Sequence, residues 1–219
     1  MVLRRMFNIL VKIFRKLIGG GSVKERNVGA VFYEVEVYDK NGKLVDKKEG
    51  KGDSVLDNWI NLMRMLRDPE SWSYQWGFFD VGGTERHISN FNFSQSSMKA
   101  PEEDDSYGII VGTGTTPVSL EDYNLASKIS HGTGSGQLSY GACSPYGISS
   151  DTQADVGLQR SFDNNSGADI TINEIGMVLK VYDGTNTYYT LIMRDVISAT
   201  TVPNGGRVTI KYWFRYNPS

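Results

Sequence analysis

The chain has 219 residues, of which 39% are hydrophobic and 22% charged, as in an ordinary globular protein rather than a disordered chain or a membrane-embedded bundle. Its single cysteine, Cys143, excludes an intramolecular disulfide and a zinc site with several cysteine ligands. The two histidines exclude a three-histidine metal centre. The 24 glycines and 25 aromatic residues indicate β-structure with many tight turns.

The formal net charge of −2 hides an asymmetry between the start of the chain and the rest. Residues 1–18 contain five basic residues and no acidic one, whereas the remaining chain has 18 basic and 25 acidic residues. Phosphate contacts need a dense basic surface, which a mildly acidic body does not offer. We therefore expect no specific nucleic-acid partner.

The first 22 residues predict an amphipathic N-terminal helix followed by a glycine-rich linker, Gly19-Gly20-Gly21-Ser22. At helical pitch the polar side chains share an arc of about 120° and apolar side chains cover the rest. No apolar run is long enough for a membrane span, and the pattern of a signal peptide is missing. The apolar residues that we expect to drive assembly are Leu3, Met6, Phe7, Leu10, Ile13, Phe14 and Leu17.

Three interpretations of this segment stay open. It could dock on a partner or bundle with copies of itself, lie on an anionic membrane surface, or cover the chain's own sheet. The glycine-rich linker separates it from everything that follows, which favours docking or bundling. We expect residues 23–219 to form the second unit, a β-sandwich domain.

The middle of the chain predicts a hairpin and then a helix. Residues from Ala30 alternate in polarity as in a half-buried strand, and 39–42 form the turn into a charged strand. Ser54 resembles an N-cap, and an apolar stripe from Val55 to Leu66 predicts one helix that covers the core.

An aromatic run follows this helix. Trp72, Tyr74 and Trp76 alternate along the sequence and would share one face of an extended chain. Such a face could be an inter-subunit interface or a platform for sugar rings, whereas the simpler alternative is an aromatic core strand.

The second half of the chain shows clear strands separated by glycine-containing turns. We predict strands over 108–111, 170–182, 188–196 and 207–216. Short strands with glycine turns and little helix favour a mainly β fold, an antiparallel β-sandwich of jelly-roll type.

Within this half, residues 111–125 (VGTGTTPVSLEDYNL) carry a pattern "GTGTT-P…DY-L". The pattern, with residues 160–166, 170–176, 191–195 and 202–206, resembles virion proteins of tailed phages and archaeal viruses. The resemblance covers residues 108–216, about half of the chain. It implies a small β-sandwich located in the virion, as a tail, fibre, decoration or vertex protein.

Glu174 lies in an otherwise apolar strand, and Arg194 and Arg160 lie on neighbouring strand candidates. A carboxylate at such a place is more often paired structurally than catalytic. We therefore predict a structural ion pair between Glu174 and one of the two arginines.

Catalytic chemistry finds little support in the sequence. A nucleophilic Cys143 or serine would need a base, and only His87 and His131 are available. No pair of acidic residues stands in a recognisable glycosidase arrangement, and the acidic run Glu102–Asp105 lacks the spacing of a calcium loop. We expect no enzyme, no catalytic residue, no metal and no cofactor.

Two functions remain. The first is a structural component of a virus particle, in the capsid, vertex, decoration, tail or fibre, whose partners are other copies of itself and other virion proteins. The second is a β-module that binds carbohydrate or a host receptor. A membrane surface and a host glycan are therefore further candidate partners.

Overall fold

The computed structural model describes residues 30–52, 55–67, 77–88, 91–92, 94–150 and 153–216. The predicted N-terminal helix and the aromatic run with Trp72, Tyr74 and Trp76 lie outside these residues. Strands dominate the described part, every pairing between named strands is antiparallel, and one helix occurs there. The prediction of a mainly β protein with antiparallel sheets and one helix is confirmed. None of the described helical residues forms a helix long and apolar enough to cross a membrane.

The described elements follow one another along the chain with short connections from β8 onward. They are β1 (Ala30–Tyr38), β2 (Leu44–Gly52), α1 (Asp57–Arg67), β3 (Phe78–Phe79), β4 (Glu85–Arg86), β5 (Gly108–Gly112), β6 (Ser139–Tyr140), β7 (Ser144–Tyr146), β8 (Ala154–Asp163), β9 (Ile170–Tyr182), β10 (Thr187–Val202) and β11 (Arg207–Tyr216).

These strands form two main sheets. The large sheet has the order β2-β1-β11-β8-β6, with β7 also pairing with β8. The small sheet has the order β10-β9-β5, and β3 pairs with β4 separately. Since β1 pairs with β11, the start and the end of the described chain lie side by side in the large sheet.

The hairpin of β1 and β2 closes as its turn residues predict. The Asp39 carboxylate accepts the main-chain N–H groups of Asn41 and Lys43, and Gly42 adopts a φ of +75°. Only glycine enters that left-handed region without a steric cost, so the Asn-Gly pair fixes the turn.

Both sheets contribute to one hydrophobic core. Alternate residues of β11, namely Val208, Ile210 and Tyr212, are fully buried, as expected where side chains point to opposite faces in turn. All five residues of β5 are buried. This strand lies at the edge of the small sheet, and loops cover it.

Helix α1 packs differently from its predicted stripe. It begins at Asp57, and Ile60 and Met63 are exposed, whereas Leu62 and the polar Asn58 are buried. The Asn58 amide accepts the N–H of Phe79 and donates to the carbonyls of Phe79 and Leu191, so the helix joins β3 to β10. The apolar pattern did not predict this buried face of α1, because the polar side chain of Asn58 makes its central contact.

An ion pair at one end of the large sheet links β8 to β11. The buried Asp155 carboxylate accepts two hydrogen bonds from Arg215, each 2.8 Å long. These bonds lower the pKa of Asp155 below its ordinary value of 3.8, and the positive charge of Arg215 adds to the effect.

We predict that Asp155→Asn lowers the free energy of unfolding at pH 7 by about 1.5–3 kcal/mol. Because the pKa is depressed in the folded state, the stabilisation is complete above the ordinary value of 3.8 and disappears as the pH falls through the lower folded value. The difference between wild type and variant in urea unfolding should therefore shrink below about pH 4. Asp46→Asn is the control, since the Asp46–Lys48 pair is exposed and contributes little. A difference that persists at pH 2 would contradict the assignment.

Candidate functional site

The Glu174 side chain of β9 is fully buried and bound on all sides. Its Oε1 accepts the N–H groups of Gly114 and Ser127 at 3.0 and 2.7 Å. Its Oε2 accepts the N–H of Ala126 at 3.0 Å and the Nε–H of Arg194 at 2.9 Å, and the Arg194 Nη2 lies 2.8 Å from it as an ion pair. The carboxylate therefore receives four hydrogen bonds and one further ion-pair contact, which satisfies a buried charge without exposing it to a substrate.

Arg194 of β10 extends this network to the loop between β5 and β6. Its guanidinium donates to the Asp122 carboxylate at 2.7 Å and to the carbonyl of Thr116 at 3.0 Å. The guanidinium thus holds one carboxylate of β9 and one carboxylate and one carbonyl of this loop. The structure brings together Glu174 and Arg194, one of the two pairings that the sequence suggested.

Two glycines of the "GTGTT" run allow the loop to approach Glu174 closely. A Cβ added at Gly112 would lie 2.5 Å from the Glu174 Oε1, and one added at Gly114 would lie 2.4 Å from it. Neither distance is compatible with a side chain, so both positions require glycine if the main chain is to reach the carboxylate. The run is a strand-to-loop turn around a buried charge.

The rest of the motif fixes the same loop to its neighbours. Leu125 is buried and fills the space above Gly176 of β9, where a Cβ would meet the Leu125 side chain at 2.9 Å. The Asn124 amide donates to the carbonyl of Val81 at 3.1 Å. Tyr123, in contrast, is exposed.

Arg160 of β8 is placed apart from the Glu174 network, so the suggestion that it pairs with Glu174 is wrong. Its five N–H groups donate to five main-chain carbonyls at 2.5–3.2 Å, those of Pro101, Asp104, Tyr107, Ile109 and Gly141. The ring of Tyr140 lies 4.7 Å from its guanidinium carbon. Arg160 therefore joins the large sheet to β5 through carbonyl dipoles rather than through a carboxylate.

An apolar cavity of about 300 Å³ opens at one end of the core, between the two sheets. Val156 of β8 and Phe214 of β11 form its floor, and both are exposed, at 70% and 41%. They lie on the same faces of their strands as buried Leu158 and Tyr212, so the apolar interior of the large sheet continues into solvent. The remaining lining residues are Val55, Trp59, Met98, Gly157, Met177, Ile192 and Met193.

A second concave surface, polar in character, lies on the opposite face of the large sheet, with a volume of about 520 Å³. Its side chains bind each other: Tyr38 donates to Glu36, and Arg207 pairs with Asp163. Beside it the rings of Phe32 and Tyr146 pack on Trp213, with centroids 5.9 and 5.1 Å away.

The side chains that sequence reasoning weighed for catalysis have structural contacts. Cys143 is buried, and the His131 Nδ1 accepts the main-chain N–H of Tyr140 at 3.1 Å. The part of the chain that the structure describes contains no group of three or more His, Cys, Asp or Glu residues suited to a metal ion.

Sequence reasoning missed the apolar cavity altogether. Phe214 lies in a predicted strand whose alternate residues face one way, no strand was predicted around Val156, and exposure of both side chains is seen only in the folded structure. The predicted site residues in 1–18 and at Trp72, Tyr74 and Trp76 lie outside the described residues.

Comparison of the chain with protein-family models, curated proteins and solved structures finds no match. The site is therefore interpreted from its own geometry.

We predict that Glu174→Gln lowers the free energy of unfolding by about 3–5 kcal/mol, because an amide places N–H donors against N–H donors and removes one of the two carboxylates paired with the buried Arg194. Urea denaturation at pH 7 measures the change. The matched control is Asp163→Asn, which breaks a pair with Arg207 whose side chains are 56% and 38% exposed, for a cost of about 0–1 kcal/mol. Equal effects of the two variants would contradict a structural role for Glu174.

Proposed function

We propose that the protein is a structural component of a virus particle, in the capsid, vertex, decoration, tail or fibre. It assembles through its N-terminal segment and a β-sandwich of jelly-roll type. The single observation that carries the proposal is the apolar cavity at the open end of the core. Contiguous apolar surface on a globular protein marks an interaction site, and protein–protein contact is one of the uses it supports.

The use of the chain's charged groups supports the same proposal. Glu174, Arg194 and Arg160 are buried and engaged in hydrogen bonds that hold loops on the sheets. These three side chains stabilise one arrangement of the loops, and none of the three is free to act as an acid, a base or a nucleophile. A fixed shape with an apolar contact surface is what repeated assembly needs.

The likeness of residues 108–216 to virion proteins directs the proposal toward a virus particle. The positions that carry the likeness include Gly112, Gly114, Asp122 and Leu125, and each has a defined contact around Glu174 or Gly176. The two antiparallel sheets with one common core support a sandwich. The proposed location is therefore the virion, where other copies and other virion proteins are the partners.

Gradient-purified, nuclease-treated particles should contain the protein in a fixed ratio to their other components, as measured by quantitative mass spectrometry. Deletion of residues 1–18 should reduce incorporation at least tenfold, since each large apolar side chain that it removes contributes about 1.5–3 kcal/mol on burial. The control is Val45→Asp, at an exposed position of β2. Absence from the particles, or normal incorporation of the deletion, would contradict the proposal.

The polar concave surface favours the second candidate function, carbohydrate binding. Hydroxyl and amide groups from Ser161, Thr209 and Gln159 line it, and the Tyr146 ring lies beside it. Such a combination can receive sugar hydroxyls and stack on a sugar ring.

A glycan-binding role predicts saturable binding of the full chain on a glycan array. Tyr146→Ala should weaken this binding by about tenfold, since a stacked ring contributes roughly 1.5 kcal/mol. Phe79→Ala, at an exposed aromatic position of β3, is the matched control and should have no effect. Absence of saturable binding across the array would eliminate this candidate.

A further inference from the structure

We propose that the apolar cavity is the receptor for the N-terminal segment, residues 1–18, of a neighbouring copy of this chain. The inference rests on the proposed function, because it names the contact through which copies assemble. The occupant would place its apolar side chains against Val156, Phe214 and the methionines behind them.

The lining of the cavity defines the chemistry of the occupant. Its nine lining residues are apolar or glycine and none carries a charge. Three of them, Met98, Met177 and Met193, have flexible and polarisable side chains that adapt to irregular apolar groups. The cavity therefore suits bulky aliphatic or aromatic side chains and rejects a polar or charged ligand.

The sequence itself supplies a segment with this chemistry. Residues 1–18 carry 12 apolar residues and five basic residues, with no acidic one. The rest of the chain has seven more acidic than basic residues, so the two parts attract each other. The apolar side chains suit the cavity, and the basic side chains would meet a body of net negative charge.

The point at which the chain enters the fold connects this segment to the cavity. Ala30, the first residue of β1, pairs with Arg215, and the next pair joins Val31 to Phe214 on the cavity floor. Phe214 in turn pairs with Val156. Neighbouring strands are about 4.8 Å apart, so the chain enters roughly 10 Å from the far side of this floor.

The direction of β1 favours a neighbouring copy as the source of the segment. Its first residues, Ala30 and Val31, lie at the end of the sheet where the cavity opens, and the strand runs away from that end. In a dimer that meets at this end about a two-fold axis, the N-terminal segment of each copy would reach the cavity of the other copy. The 11 residues 19–29 can extend to about 36 Å, enough to cross such a contact.

Cysteine cross-linking between separately made variants tests the proposal with the full chain. Phe14→Cys is prepared on one chain and Val156→Cys on another, and the two are mixed under mild oxidation. Cys143 is buried and stays in place. A disulfide between the two variants requires that the segment of one copy reaches the cavity of the other.

We expect the mixed pair to cross-link about tenfold faster than Phe14→Cys mixed with Val45→Cys, because docking raises the local concentration of the thiols. Val45 is 51% exposed on β2, near the opposite end of the large sheet. Val156→Asp should abolish the association of copies measured by light scattering. It should leave the urea unfolding midpoint unchanged, since position 156 is mostly exposed.

Two outcomes would overturn the proposal. One is a cross-linking rate equal to that of the Val45→Cys control. The other is a disulfide that forms only when both cysteines stand on one chain, at a rate independent of concentration, which would assign the cavity to the chain's own segment. Both outcomes are separate from the mass-spectrometric presence of the protein in particles, which tests the proposed function itself.

Discussion

The buried pair of Glu174 and Arg194 is the constraint around which the second half of the chain is arranged. A charge without hydrogen bonds in the interior would be far too costly, so each lone pair of this carboxylate needs a donor. The loop after β5 supplies three main-chain N–H groups and an aspartate, Asp122. That requirement explains why glycines stand at positions 112 and 114 and why a loop with little secondary structure has one defined path.

Arg160 solves the same burial problem in another way. Five carbonyl oxygens surround its guanidinium, from the loop before β5, from β5 itself and from the break between β6 and β7. Burial nevertheless lowers the pKa of Arg160, because carbonyl dipoles only partly replace water around the charge. One arginine thus holds the segments around β5 to the large sheet, while Arg194 holds the neighbouring loop to the small sheet. Together they specify where irregular segments sit on two regular sheets.

Local patterns predicted β9 and β11 well, placed the end of β10 too early, missed β8 and said little about the contacts between elements. The bounds of β9 and β11 follow from alternation and from glycine turns, and the structure has them at 170–182 and 207–216. The start of α1 and its buried Asn58 escaped prediction, since the partners of that amide lie 21 and 133 residues away along the chain. The Glu174–Arg194 pair could be suggested from sequence, but the choice between two arginines depended on sheet order. Sequence proximity carries no information of that kind.

The open end of the core follows from the unequal sizes of the two sheets. Strands β8 and β11 pair along ten residues, and their alternation continues apolar to Val156 and Phe214. Val31, the partner of Phe214 on β1, is buried. On this face of the large sheet the end of β1 is therefore covered, whereas the neighbouring ends of β11 and β8 are exposed. Side chains that bury about 100 Å² or more each gain substantial free energy once covered, at about 25 cal/mol per Å². The large sheet extends beyond the small sheet that covers it, and its exposed apolar end therefore favours contact with another apolar segment. Strand β1 begins beside that surface.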